Sequence, residues 1–207
     1  MNTQIHSIQD PEAIKLAVSI IKSGGVIAFP TDTVYGIGAD LWSEKAINRL
    51  YQVKGRSYDK AIPILIGEQS QLNLVVDHAA LNPQASQLMN AFWPGAMTLI
   101  LPKHKSVPNR LSAYPTVGVR MPDHALLLRL LTQTGPLAVT SANRSGQPDA
   151  FTAQQVENDL SGRIELILDG GTTPGAAPST VVDCSTDELN LLRVGEITRE
   201  LIDTALT

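Results

Sequence analysis

Val26 to Phe29 is a run of four apolar residues stopped at both ends. Gly24-Gly25 precede it, and Pro30-Thr-Asp-Thr-Val-Tyr-Gly-Ile-Gly38 follows. A run this short and this apolar reads as a buried strand, so other elements must cover it. The flanking sequence supplies them. Asp10-Pro11-Glu12 has the order of an N-cap, a first helical residue and an acidic first turn, and Ile14, Ala17, Val18 and Ile21 follow at helical spacing. Ser43 opens a second helix with Ala46, Ile47, Leu50 and Val53 facing inward and Gly55 at its end.

The same alternation runs through the chain. Strands are expected over 62–66, 97–101, 116–121, 137–140, 164–168, 180–183 and 191–194. Helices are expected from Asn82-Pro83 to Trp93-Pro94-Gly95, from Asp123 through Leu131, from the Thr152/Gln155 capping box to Leu160, and from Thr198 onward. Strands and helices mixed in this way predict one α/β domain over residues 1–207, a twisted mixed β-sheet with flanking helices. Some connections are too short for a helical crossover, so some neighbouring strands should be antiparallel. There is no internal repeat, no low-complexity tract and no linker; Gly170 to Ser179 is short enough to be a functional loop.

Composition removes several classes of function. Charged residues make up 17%, below the usual ~25%, against 43% apolar, so a disordered chain or a coiled coil is excluded. A net charge of −4 argues against a protein that coats DNA, and 4% aromatics against a base-stacking platform. Cys184 is the only cysteine, no apolar run approaches the ~20 residues that span a bilayer, and the first ten residues lack a signal core. The expectation is a cytoplasmic protein with no membrane partner. The four histidines show no paired ligand spacing, so no protein-bound metal site is expected. Gly170 and Gly175 are spaced as in a P-loop, but Ala176-Ala177 stand where it needs Lys-Ser/Thr.

The chemistry-bearing residues gather at expected strand and helix ends. Thr31, Asp32, Thr33 and Tyr35 follow the buried strand, where open α/β sheets place ligands; the same residue types also build a plain turn. Lys54-Gly55-Arg56 puts two cations at a helix end, suited either to phosphates or to the helix dipole. Arg120 interrupts an apolar strand, as Arg193 does, and each needs an anion, whether a ligand or a neighbouring carboxylate. Thr140-Ser141-Ala142-Asn143 can offer hydroxyls and backbone N–H groups to phosphate oxygens, or form a turn at Asn143. Ser179 and Thr180 can face a ligand at the start of the next strand. His124 could act as a base or belong to a helix start, and Trp93 suits packing at a helix end.

Six segments then appear in one order: Pro30-Thr-Asp-Thr-Val-Tyr-Gly36, Lys54-Gly-Arg56, Trp93-Pro-Gly95, Arg120-Met-Pro-Asp-His124, Ser141-Ala-Asn-Arg-Ser-Gly146 and Ser179-Thr-Val-Val-Asp183. Together they resemble the YrdC-like (TsaC-type) family, the L-threonylcarbamoyladenylate synthases, in its short form. The resemblance implies a large concave, positively charged cavity. It also implies a reaction in which carbamoylated threonine, made from L-threonine and bicarbonate or CO₂, attacks the α-phosphorus of ATP and expels pyrophosphate. The product, threonylcarbamoyl-AMP, serves the t6A modification of adenosine-37 in tRNA.

By this resemblance Thr33, Arg120, Thr140 and Ser179 would hold threonine. Lys54 and Arg56 would be the catalytic cations, on the carbamate and the triphosphate. Thr116, Ser141, Asn143 and Arg193 would join them in binding the nucleotide, with Mg²⁺ on the phosphates; tRNA or tRNA-modification proteins would be further partners. The chain has Ser57 where the family often shows a proline and Ala61-Ile62 where it often shows a Pro-Leu pair, and it lacks the histidine that some members carry near Leu65. Two rival expectations stand beside this one: a module binding double-stranded RNA or tRNA without turning over ATP, and a paralogue using another small substrate.

Overall fold

Asp10 accepts a hydrogen bond from the backbone N–H of Glu12, and with Pro11 behind it the chain enters its first helix as expected. The computed structural model describes residues 2–175 and 177–207. Ala176, one of the two alanines that replace the P-loop Lys-Ser/Thr pair, lies outside the described residues.

The first half of the chain forms β1 (Gln4–Ser7), α1 (Pro11–Lys22), β2 (Ile27–Phe29), β3 (Gly36–Asp40), α2 (Glu44–Lys54), β4 (Ile64–Leu65), α3 (Leu72–Val75) and α4 (Pro83–Phe92). The second half forms β5 (Met97–Pro102), β6 (Thr116–Arg120), α5 (Ala125–Thr134), β7 (Leu137–Ser141), α6 (Ala153–Leu160), β8 (Leu166–Asp169), β9 (Thr180–Asp183), β10 (Asn190–Arg193) and α7 (Arg199–Ala205). Among the described residues no helix is long and apolar enough to cross a membrane.

The ten strands make one mixed sheet in the order β1-β8-β2-β3-β7-β4-β6-β5-β9-β10. β8 pairs in parallel with β1 and β2, β4 with β6, and β5 with β9; the other neighbours are antiparallel. The expected mixture of directions is present. Side chains alternate across the strands and feed two cores. Ile27 and Phe29 of β2, Leu137 and Val139 of β7 and Leu166 and Leu168 of β8 meet α1 and α5 on one face. Ala28, Ala138 and Ile167 meet α2, α4, α6 and α7 on the other. Burying each large side chain contributes about 1.5–3 kcal/mol, so the two layers fasten the helices to the sheet.

Three local expectations change. β3 lies inside the glycine-bearing stretch that reads as a loop. Its glycines are needed: a Cβ on Gly38 would stand 2.9 Å from the Phe29 ring. β1 is an edge strand with mostly exposed residues, which give no apolar signal. The cap of α5 is His124, not Asp123: its Nδ1 accepts the N–H of Leu127 at 3.2 Å. The Ser43, Asn82, Thr152/Gln155 and Thr198 caps and the left-handed Gly55 at the end of α2 form as the sequence indicates.

The layer of α1 and α5 sits over β8, β2 and β7. Farther along the same face, over β5, β6 and β9, lie Thr98, Ile100, Arg120 and Val181, and here a cavity opens.

Candidate active site

The cavity has a volume of about 270 Å³. Its first wall is the loop leaving β2. Thr31 accepts hydrogen bonds from the N–H groups of Thr33 and Val34 and donates to the Val34 carbonyl at 2.7 Å, so its hydroxyl is used in folding the turn. That turn presents Thr33, 1% exposed, and Asp32 to Arg120. Tyr35 ties the loop down from behind: its hydroxyl donates to the Gly171 carbonyl at 2.7 Å and accepts the N–H of Gly170.

Arg120 ends β6 and is itself nearly buried. Its Nε donates to the Gly95 carbonyl at 2.9 Å, Nη1 to the Thr33 hydroxyl at 3.0 Å and Nη2 to Asp32 at 2.5 Å. A guanidinium has five N–H donors; three are fixed, and two are left for an anion in the cavity. Both readings of Arg120 hold at once, since it has an internal carboxylate and still lines the cavity. The Trp93-Pro94-Gly95 segment supplies the carbonyl that aims it, while Trp93 packs at the helix end with its indole N–H on the Met97 carbonyl.

The opposite wall carries Ser179, with Arg193 behind it. Arg193 donates to the Ser179 carbonyl at 2.9 Å and to its hydroxyl at 3.2 Å, and Thr98 bonds the same hydroxyl at 2.8 Å. Thr140 and Ser141, at the end of β7, and Arg56, beyond α2, add to the polar lining. Arg56 is held by two carbonyls of its own loop, Nε on Lys60 and Nη2 on Ala61.

Lys54 and Asn143 belong to the layer beneath. Lys54 is 4% exposed, and its ammonium donates to the carbonyls of Ser141 (2.5 Å) and Asn143 (2.9 Å) and to Oδ1 of Asn143 (2.8 Å). Burial, helped by the charge of Arg56, pushes its pKa down from 10.5 to about 8. Thr116 is not brought to the cavity. It starts β6, four residues and roughly 13 Å from Arg120, and its carbonyl accepts from Ser112. His124 is a helix cap beside Asp32; burial lowers its pKa, which suits the neutral ring that a capping acceptor needs.

Sequence reasoning missed two polar lining residues, Thr98 and Asp149. Thr98 carries the signal used for Arg120, a polar residue inside an apolar strand. Asp149 sits in a loop without local pattern and lines the cavity, near enough to Arg193 for their charges to interact. Among the described residues, no group of three or more His, Cys, Asp and Glu side chains could hold a metal ion.

The chain that builds this cavity is similar in sequence and in fold to known proteins. The Sua5_yciO_yrdC family model, described as "Telomere recombination", matches residues 19–195. The chain belongs to the Sua5/YciO/YrdC family. It is 43% identical over 203 residues to the threonylcarbamoyl-AMP synthase of Bacillus subtilis, covering 97% of this chain and 58% of that protein. It is 35% identical to the threonylcarbamoyl-AMP synthase of Vibrio vulnificus, covering 85% of this chain and 96% of that one. The structure of P. abyssi Sua5 complexed with L-threonine superposes with a TM-score of 0.91 at 37% identity, covering 99% of this chain and 60% of that one. The chain thus spans about three-fifths of some of its Sua5/YciO/YrdC relatives and nearly the full length of others.

Proposed function

We propose that the cavity makes threonylcarbamoyl-AMP and pyrophosphate from L-threonine, bicarbonate and ATP. The observation that carries this reading is the convergence of Arg56, Arg120 and Arg193 with Thr33, Thr140, Ser141 and Ser179 on one hollow. Guanidinium forks suit carboxylate and phosphate, and hydroxyls orient a small polar molecule between them. The names of the relatives point the same way, and one relative was solved with L-threonine.

Threonine's carboxylate takes the two free donors of Arg120, with Thr33 and Ser179 flanking it. The neutral amine attacks CO₂ and gives up a proton to solvent, or takes up bicarbonate with loss of water, and Arg56 steadies the carbamate so formed. A carbamate oxygen then attacks the α-phosphorus; the bond to the bridging oxygen breaks, and pyrophosphate leaves with the electron pair. Charge neutralisation and alignment do more here than a dedicated base. Arg56 and Arg193 meet the phosphates. Ser141, shaped by Lys54 and Asn143, lines the nucleotide side. Mg²⁺ would enter as part of MgATP and would offset the charge of the phosphates. The adenylate would be consumed in the t6A modification of tRNA in the cytoplasm.

The test is pyrophosphate release with MgATP, bicarbonate and threonine, each omitted in turn. Release should need all three. Release that ignores threonine would overturn the reading, and release with another amino acid would make the chain a paralogue. RNA affinity falling steeply with salt, with no ATP turnover, would favour an RNA-binding module.

A further inference from the structure

Arg56 reaches the cavity from a loop, 55–62, whose own bracing is the short turn of residues 57–60, with the Lys60 N–H on the Ser57 carbonyl at 3.3 Å and the Ser57 hydroxyl on Asp59. Gly55 is in the left-handed region at φ 61°, residues 57–60 are exposed, and no proline occurs before Pro63. Yet the direction of Arg56 is set by two carbonyls of this same loop, those of Lys60 and Ala61. Whatever fixes those carbonyls fixes Arg56.

The fixing groups come from α2 and from the strand of chain around Arg110. The buried Tyr51 donates its hydroxyl to the Lys60 carbonyl at 3.0 Å. Tyr58 leans on Tyr51 with ring centroids 4.7 Å apart. The Arg110 guanidinium lies over Tyr58, 3.5 Å from the ring centroid and well inside the range of cation–π attraction, and 5.9 Å from the centroid of Tyr51, at the edge of that range. Arg110 is itself braced by a hydrogen bond from its Nε to Asn48 on α2. Its neighbour Leu111 offers a carbonyl to the N–H of Ile62 at 3.1 Å, closing the far end of the loop.

We propose that Arg110 is a positioning residue that acts on Arg56 through Tyr58, an aromatic clamp doing for this loop what a rigid ring in its backbone would do. The proposal rests on the reading that Arg56 meets the phosphates of ATP. Neither Arg110 nor Tyr58 lines the cavity, so both act at one remove.

The test compares Arg110→Ala, Tyr58→Ala and Tyr58→Phe in MgATP affinity by calorimetry and in turnover, with Arg110→Ala repeated in an Arg56→Ala background. Arg110→Ala and Tyr58→Ala should each weaken ATP about three- to tenfold, with the KM for threonine nearly unchanged, and Tyr58→Phe should behave as wild type. In the Arg56→Ala background Arg110→Ala should cost nothing further. Unchanged ATP affinity, or a full additional loss in that background, would overturn the proposal. Should the unaltered protein bind no ATP, the proposed function fails, and the clamp is judged on amide hydrogen exchange of residues 57–61. Arg110→Ala must speed that exchange; unchanged exchange sinks the clamp on its own account.

Discussion

Nζ of Lys54 lies 2.8 Å from Oδ1 of Asn143, across 89 residues of chain, with both side chains about 5% exposed. The ammonium spends its three donors on the turn that carries Ser141. Lys54 therefore shapes the Ser141 wall of the cavity from beneath, while Arg56 faces into it. The two members of the Lys-x-Arg pair should separate under mutation. Lys54→Ala takes the charged donor from two carbonyls and from the Asn143 amide oxygen, which keeps the Ser141 hydroxyl, and should lower stability by roughly 3 kcal/mol as well as activity. Arg56→Ala should cut turnover at least tenfold with little change in melting temperature. Thermal unfolding beside steady-state kinetics checks both.

Lys54 also sets a pH dependence. Its folded pKa is depressed to about 8, while an unfolded lysine keeps its proton to 10.5. Below pH 8 both states are charged, and the cost of burying the charge is present in full. Between about pH 8 and 10.5 the unfolded chain binds more protons, so this group's contribution to stability rises with pH, by about 3 kcal/mol in all. Over the same window the turn loses charged donors, so turnover should fall with an apparent pKa near 8. Urea unfolding of wild type and Lys54→Met across that window, beside a pH–rate profile, measures both slopes.

Asp32 and Arg120 form an ion pair with side chains 12% and 8% exposed. Arg120→Ala strands the Asp32 carboxylate in a nearly dry site and should cost about 3 kcal/mol of stability. Asp32→Asn keeps an acceptor for Nη2 but removes the charge; it should raise the KM for threonine several-fold with a smaller loss of stability. Equal effects from the two variants would contradict the role given to Asp32.

Gly175 packs its backbone against Thr33. A Cβ there would stand 2.5 Å from the Thr33 Cα and 2.7 Å from its carbonyl oxygen, atoms that cannot swing aside. Gly175→Ala should push the 170–179 loop off the first wall and weaken threonine binding about tenfold. Calorimetric titration with threonine reads it directly.

Cys184 is fully buried, and burial with the nearby Asp183 pushes its thiol up to about 12. A thiol reagent at pH 8 should find no reactive group in the native protein and one after denaturation. Rapid labelling of the native protein would show that β9 opens readily.

How much of this could be read from the chain depended on whether the signal was local. The caps at Asp10, Ser43, Asn82 and Thr152 sit within three residues of what they bond, and each was legible. So was Arg120, because a charge inside an apolar strand stands out wherever it points. β3 was hidden because Gly36 and Gly38 depress strand propensity. Their reason, the Phe29 ring lying across them, exists only once the hairpin has formed. Lys54 reads as a helix-end cation, and only the return of β7 beside α2 reveals the Ser141–Asn143 turn as its partner. Thr116 shares a strand and a face with Arg120, and distance along that strand is what separates it from the cavity.

The most direct measurement is the mass of the adenylate formed when the protein is given threonine, MgATP and ¹³C-bicarbonate. The account predicts threonylcarbamoyl-AMP carrying the labelled carbon, formed together with pyrophosphate. An unlabelled threonyl adenylate, or no adenylate at all, would contradict it.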